Sequence, residues 1–197
     1  MVKTVQGGDL PVECHPVTPD RWDDMERLFG PRGACGGCWC MWFRLNKREF
    51  DAGKGEGNRR AMRRIVAAGE TPGLIAYHRG EPVGWCSVAP REKYVRLCNS
   101  RILKPVDDHP VWSVVCFFIT RQYRGKGVAT ALLEAAVRYV KGRGGAMVEG
   151  YPVEPRTGRM PDAFMYHGLA SSFRRAGFTE VARRSETRPI MRYIIKE

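Results

Sequence analysis

The sequence predicts an α/β domain built on a mixed, mostly antiparallel sheet, and three stretches carry that expectation. Residues 111–119 are a nine-residue apolar run that leads through a tight basic glycine turn into an apolar-periodic segment ending near Lys141. That is the pattern of a buried strand, a turn and a helix. Residues 73–78 and 82–89 read as strands joined by Arg79-Gly80-Glu81, which makes an antiparallel hairpin. Residues 181–185 and 190–195 read as a closing antiparallel pair.

The remaining elements follow in order. Glu13 to Val17 is the candidate first strand. Thr18-Pro19-Asp20 supplies an N-cap, a proline at the first helical position and an acid in the first turn. Trp22, Met25, Leu28 and Phe29 then repeat at helical spacing, and Gly30-Pro31 stops the helix. A glycine- and cysteine-rich segment over 33–40 runs into Met41-Trp42-Phe43. Residues 51–57 read as a polar loop, and Asn58 as the cap of a second helix carrying Ala61, Met62, Ile65 and Val66. Residues 90–109 look irregular, with one helical turn around 92–97. In the helix after the glycine turn, Val128, Leu132, Ala136 and Val140 share a face. Residues 146–151 are the next strand. Asp162 reads as the cap of a last helix running to Ala176, closed by Gly177.

The chain has 197 residues, which fits a single domain over 1–197, with residues 1–11 loosely attached. No stretch approaches the ~18 apolar residues of a membrane span. The first eleven residues lack a basic start followed by an apolar run, so no secretory signal is expected. Seven cysteines, an odd number scattered through the chain, fit a reducing cytoplasm better than a disulfide framework. The net charge of +12 admits a nucleic-acid surface. No basic block is interleaved with aromatics, so a solvated arginine-rich face is the preferred reading and nucleic acid is not the expected partner.

The turn itself is Gln122-Tyr123-Arg124-Gly125-Lys126-Gly127-Val128-Ala129. A glycine turn at a helix N-terminus exposes backbone N–H groups, the helix dipole adds partial positive charge, and Arg124 and Lys126 add full charges. Such a place suits a di- or polyphosphate. A P-loop would need Ser or Thr after Gly-Lys, and Gly127 stands there. A dinucleotide fingerprint would need a small third residue where Thr130 stands, and an acidic ribose ligand ~20 residues on that is not evident.

What remains, Gln-x-x-Gly-x-Gly after a strand, resembles the acetyl-CoA pyrophosphate loop of the GNAT (GCN5-related) N-acetyltransferase superfamily. The order of elements matches too, from about Val12 to Ile195. The segment Tyr166 to Phe178 resembles the superfamily's last helix with its Gly-Phe ending. The resemblance implies a V-shaped splay between two parallel strands, with the pantetheine arm in the gap. It implies acetyl transfer from acetyl-CoA to a small-molecule or protein amine by direct attack in a ternary complex. Carried over, Phe117, Phe118 and Ile119 border the pantetheine and thioester. Gln122, Arg124, Gly125, Lys126, Gly127, Val128 and Ala129 hold the pyrophosphate. His167 and Phe173 lie along the cofactor, and an amide near Phe118 polarises the thioester carbonyl. Relatives commonly dimerise, so a homodimer is implied as well.

The chain departs from the family pattern at Phe173, where the usual general acid is a tyrosine. Water or another nearby group, Tyr166, Ser171, Ser172 or His167, must then protonate the thiolate, and Tyr166 is taken as the catalytic candidate. For the base, Glu149 stands on the strand after the splay, among Met147, Val148 and Tyr151. A raised pKa there would suit a base working through water; the alternative is an ion pair with an arginine. Cys116 is either a covalent acetyl carrier or a buried core thiol. Cys35-x-x-Cys38-x-Cys40, with Cys14 and His15, invites zinc, but there is no second pair and the expectation is no metal. Trp39, Trp42 and Phe43 are read as acceptor-pocket or lid residues, with ordinary core as the alternative. Phe173 also keeps open an acyl-CoA-binding regulatory module with little turnover.

Overall fold

The structure is a computed structural model that describes residues 10–155 and 166–196. Seven strands form one sheet: β1 (Glu13–Pro16), β2 (Gly73–His78), β3 (Glu81–Pro90), β4 (Trp112–Ile119), β5 (Met147–Gly150), β6 (Thr179–Arg183) and β7 (Pro189–Ile194). Their order across the sheet is β1-β2-β3-β4-β5-β7-β6. Only β4 and β5 run parallel; the other pairs are antiparallel. Among the described residues six α-helices flank the sheet: α1 (Trp22–Phe29), α2 (Lys47–Ala52), α3 (Glu56–Ala67), α4 (Val95–Cys98), α5 (Val128–Lys141) and α6 (Ala170–Arg175).

The strand alternation sends side chains to two layers. Leu74 and Ala76 face α5, whose Leu132, Leu133, Ala136 and Val140 form the larger core with Phe173 and Phe178. Ile75 and Trp85 face the opposite layer, where α1, the cysteine-rich loop and α3 contribute Trp22, Met25, Phe29, Trp39 and Met62.

The parallel pair is short. Trp112, Ser113 and Val114 pair with Val148, Glu149 and Gly150, and among the described residues β4 has no strand partner on that side beyond Val114. After β5 the chain turns away: Val153 bridges to Leu169, and its N–H donates to the Gly168 carbonyl at 2.9 Å. The two strands therefore diverge into the expected splay.

On its other edge β4 carries a β-bulge. Ser87 pairs with Cys116 but Val88 pairs with Val114, so Val115 is the extra residue. A bulge breaks the two-residue alternation. Val114 and Phe117 both face α5, while Cys116 and Phe118 face the layer of α1 and the cysteine-rich loop.

Two local expectations are corrected. Residues 51–57 are not a plain loop: α2 reaches Ala52, capped by an Asn46/Glu49 capping box, and α3 begins at Glu56, ahead of Asn58. The last helix begins only at Ala170, because Gly168 takes φ +78° and Leu169 is extended. Its expected cap, Asp162, lies outside the described residues. At the start of the described residues the Leu10 N–H donates to the Lys126 carbonyl at 3.0 Å.

Candidate active site

Strand β4 and helix α5 position the glycine turn. Gly125 and Gly127 take φ +72° and +80°, a region costly for other residues. Gly127 is the left-handed residue that caps α5. The first intrahelical bond runs from the Ala131 N–H to the Gly127 carbonyl, so the N–H groups of Val128, Ala129 and Thr130 point out of the helix end without helical partners. Arg124 is anchored by its Nε, which donates to the Ile119 carbonyl at 3.0 Å.

A cavity of about 630 Å³ starts at this turn. It passes Phe117, Phe118 and Ile119 on the open edge of β4 and ends under Cys35, Cys38, Cys40, Trp42, Phe43 and Phe50. Tyr166, Leu169, Ser172 and Arg175 line its other wall. Of the positions expected from the sequence, Phe117, Phe118, Ile119, Arg124, Gly125, Gly127, Val128, Ala129, Trp42, Phe43 and Tyr166 are in this lining. Gln122 and Lys126 are exposed on the turn and are not in it.

Trp39 is core. It is 5% exposed, stacked on Trp22 and tilted against Phe29. Trp42 instead lines the cavity and is 38% exposed, with the Arg96 guanidinium from α4 lying 3.7 Å from its ring centroid. Phe173 is also core. It is fully buried against Phe117 and Phe178, and its ring packs so closely on Gly150 that a Cβ there would meet it at 2.1 Å. His167 is buried beside Tyr166, with Nδ1 donating to the carbonyl of the bulge residue Val115 at 3.4 Å. Burial pushes its pKa down to about 3, which keeps the ring neutral.

Glu149 does not reach the cavity lining. Its carboxylate is fully buried and accepts from Arg91 Nη1 at 3.1 Å, Arg192 Nε at 2.7 Å and the Tyr151 hydroxyl at 2.5 Å. Arg192 also holds Asp107, and Arg91 donates to the Leu97 and Leu103 carbonyls. Of the two readings the sequence left open for this residue, the geometry is that of the ion pair: a network fastening β5 to β7 and to the irregular segment before β4. Among the described residues lining the cavity there is no Asp, Glu or His.

Two polar groups were not foreseen. Thr130 lines the cavity on the first turn of α5, and its buried Oγ1 has no partner among the described residues. An unpaired buried hydroxyl beside open N–H groups fits an incoming phosphate or pantetheine oxygen. Helical spacing alone places Thr130 there, three residues past Gly127. The second, Arg175 on α6, lies across the cavity; it is one of many arginines and nothing in the sequence marks it. The cysteines of the loop line the cavity, and among the described residues no group of three or more His, Cys, Asp or Glu is placed to hold a metal ion.

A splayed parallel pair with a glycine-turned helix N-terminus at its mouth defines an acyl-CoA-dependent transferase fold. The model of the Acetyltransferase (GNAT) family matches residues 39–152, more than half of the chain, and the protein belongs to that family. It is an N-acetyltransferase that takes its acetyl group from acetyl-CoA and passes it to an amine. Solved structures share the fold. A GNAT-family acetyltransferase from Listeria monocytogenes has 9% identity and TM-score 0.58, over 97% of this chain and 99% of that one. One from Streptococcus agalactiae has 13% identity and TM-score 0.55, over 95% and 97%. The PaiA N-acetyltransferase of Thermoplasma acidophilum, solved with coenzyme A, has 10% identity and TM-score 0.52, over 93% and 99%. A search of the curated proteins finds no match to this chain.

Proposed function

We propose that acetyl-CoA lies along the open edge of β4, with its pyrophosphate on the N–H groups of residues 125–129, and that the amine attacks the thioester directly while both substrates are bound. The observation that carries this reading is the single cavity joining the glycine turn, the splay and the aromatic acceptor end. In it Phe117, Phe118 and Ile119 border the thioester, and an amide near Phe118 polarises its carbonyl. Gln122 and Lys126 contribute from the rim of the turn. Tyr166 gives the proton to the leaving thiolate. Burial raises its pKa, so the phenol is protonated at neutral pH.

The acceptor end favours an amine on an apolar or aromatic body, whether a small molecule or a chain terminus. Phe29, Trp42, Phe43 and Phe50 line it, and no described carboxylate is there to attract a polycation. No helix among the described residues is long and apolar enough to cross a membrane. All seven cysteines are free, which supports a reducing, cytoplasmic setting. A homodimer belongs to the same reading, and light scattering tests it. Initial rates with acetyl-CoA varied against a panel of aromatic and aliphatic primary amines test the reaction order. Intersecting lines support direct attack; parallel lines or absence of any acetylated amine refute it.

A further inference from the structure

The acceptor end of the main cavity lies beside a second cavity of different chemistry. The second is more open and holds about 440 Å³. It shares Trp42 and Phe43 with the main cavity, so it adjoins the acceptor end. Its polar wall is Asn46, Lys47, Arg96, Asn99 and Ser100. Among the described residues neither lining contains an Asp or Glu. An acceptor reaching past Trp42 therefore leaves aromatic surroundings for basic ones.

Two short helices build this wall. The Asn46/Glu49 capping box starts α2 and sets Asn46 and Lys47 at its first turn. Helix α4 supplies Arg96, which fastens it to the segment before α2. The Arg96 backbone N–H donates to the Phe43 carbonyl at 3.1 Å, and its Nε donates to the Leu45 carbonyl at 3.0 Å. The guanidinium carbon lies 3.7 Å from the Trp42 ring centroid and 5.6 Å from that of Phe50. Stacking on an aromatic face orients a guanidinium and leaves its N–H edge for an acceptor in its plane. Among the described residues neither Nη of Arg96 makes a hydrogen bond, and Nη2 is buried. Buried donors are seldom left unpaired. The acids close by are already engaged. Asp51 pairs with Lys47 at 2.6 Å and Lys54 at 3.7 Å, and Glu49 accepts from the Asn46 N–H at 3.3 Å. Lys47 is thus matched, and Arg96 is the cation of this wall with no ion-pair partner among the described residues.

We propose that the second cavity is a subsite for a carboxylate carried by the acceptor. The substrate is then an amine on an apolar or aromatic body whose far end bears a carboxylate, and Arg96 holds that group beside Trp42. The inference rests on the acetyl-CoA placement and the acceptor end given above, and it names the class of acceptor they serve. A planar carboxylate matches the N–H edge of a guanidinium and supplies the acceptor that Nη2 lacks. With Nε engaged on Leu45, the pairing runs through the two Nη nitrogens. The charge of Arg96 also sets the direction of binding: it draws the carboxylate to the second cavity and leaves the amine end for the thioester.

The test uses the full chain, acetyl-CoA and matched pairs of acceptors. The probes are ω-aminoalkanoates of graded length and aminomethyl-arenecarboxylates, each compared with its own primary carboxamide. Initial rates are followed by released CoA. Expected is a preference in kcat/KM for the carboxylate of at least about tenfold at the best length, carried by KM. Added salt should erode the preference while the KM of the amide stays steady. Arg96→Gln should bring the ratio to about one, and Arg96→Lys, which keeps the charge but loses the fork, should retain part of it. No preference for the carboxylate at any length in the native protein overturns the proposal. So does an Arg96→Gln variant in which both members of a pair slow equally, since a purely structural hold on Phe43 and Leu45 predicts that result. Circular dichroism checks folding; if Arg96→Gln does not fold, Arg96→Lys decides, and an undiminished preference there overturns the proposal. Acetylation of no member of any pair, in protein that binds CoA by calorimetry, overturns it too. Absence of CoA binding would instead overturn the acetyl-CoA placement itself, so the two failures are distinguishable.

Discussion

Glu149→Gln separates a structural carboxylate from a catalytic one. The native side chain is 0% exposed, and the partner guanidiniums on Arg91 and Arg192 are 10% and 6% exposed. Removing one member of a buried ion network leaves the others charged and under-paired, which costs about 3–5 kcal/mol. The low end applies here. Arg192 keeps Asp107, Arg91 keeps two backbone carbonyls, and glutamine still offers one oxygen. A loss of about 3 kcal/mol is a large part of the roughly 5–15 kcal/mol of an ordinary domain. At about 2–4 °C per kcal/mol for a chain of this size, the melting temperature should fall by roughly 6–12 °C. Differential scanning calorimetry gives the shift, and a CoA titration well below the transition gives binding. Binding by the folded variant should be unchanged. A melting point within about 2 °C of wild type, combined with a collapse of kcat, would refute the structural assignment and restore Glu149 as the base.

Three further outcomes follow from the packing. Phe173→Tyr should not raise kcat, because its ring packs on the Gly150 backbone with no room or partner for a hydroxyl; thermal melts should show a loss of about 1–3 kcal/mol, and a gain in kcat would contradict that placement. His167 has a folded pKa near 3 against an ordinary 6.5, so the unfolded chain binds the proton first. Its contribution to stability is complete above about pH 6.5 and is lost as pH falls toward 3, amounting to about 2–3 kcal/mol by pH 4.5; denaturant titrations should show His167→Gln flattening this limb. Trp42→Ala should raise the acceptor KM and leave acetyl-CoA affinity within about threefold, since the donor half of the cavity is untouched; equal loss of both would place Trp42 on the donor.

Strand β4, the glycine turn and α5 were legible because a nine-residue apolar run, positive-φ glycines and a single helical face all point the same way. Helix α2 escaped periodicity because only Phe50 among its six residues is buried, although Asn46-x-x-Glu49 spelled its capping box. The last helix was read too long because nothing local shows that Gly168 would turn left-handed and Leu169 would pair with Val153. Trp39 and Trp42 are three residues apart in an irregular loop, and no period says which faces the core. The Glu149 network joins residues from positions 91, 107, 149 and 192, a meeting set by sheet order and invisible in spacing. The bulge at Val115 was equally hidden, and with it the face that Cys116 presents.

The account stands or falls on the glycine turn as the anchor of acetyl-CoA. Gly127 caps α5 at φ +80°, next to the open N–H groups of Val128, Ala129 and Thr130. Gly127→Glu adds backbone strain, bulk and a negative charge at the position proposed for the pyrophosphate. The decisive measurement is a calorimetric titration of CoA into wild-type protein and into this variant, with folding of the variant checked by circular dichroism. The account predicts saturable one-to-one binding to wild type and at least about a hundredfold weaker binding to the variant, a loss of about 2.7 kcal/mol or more. Unchanged affinity in a folded Gly127→Glu protein would contradict it.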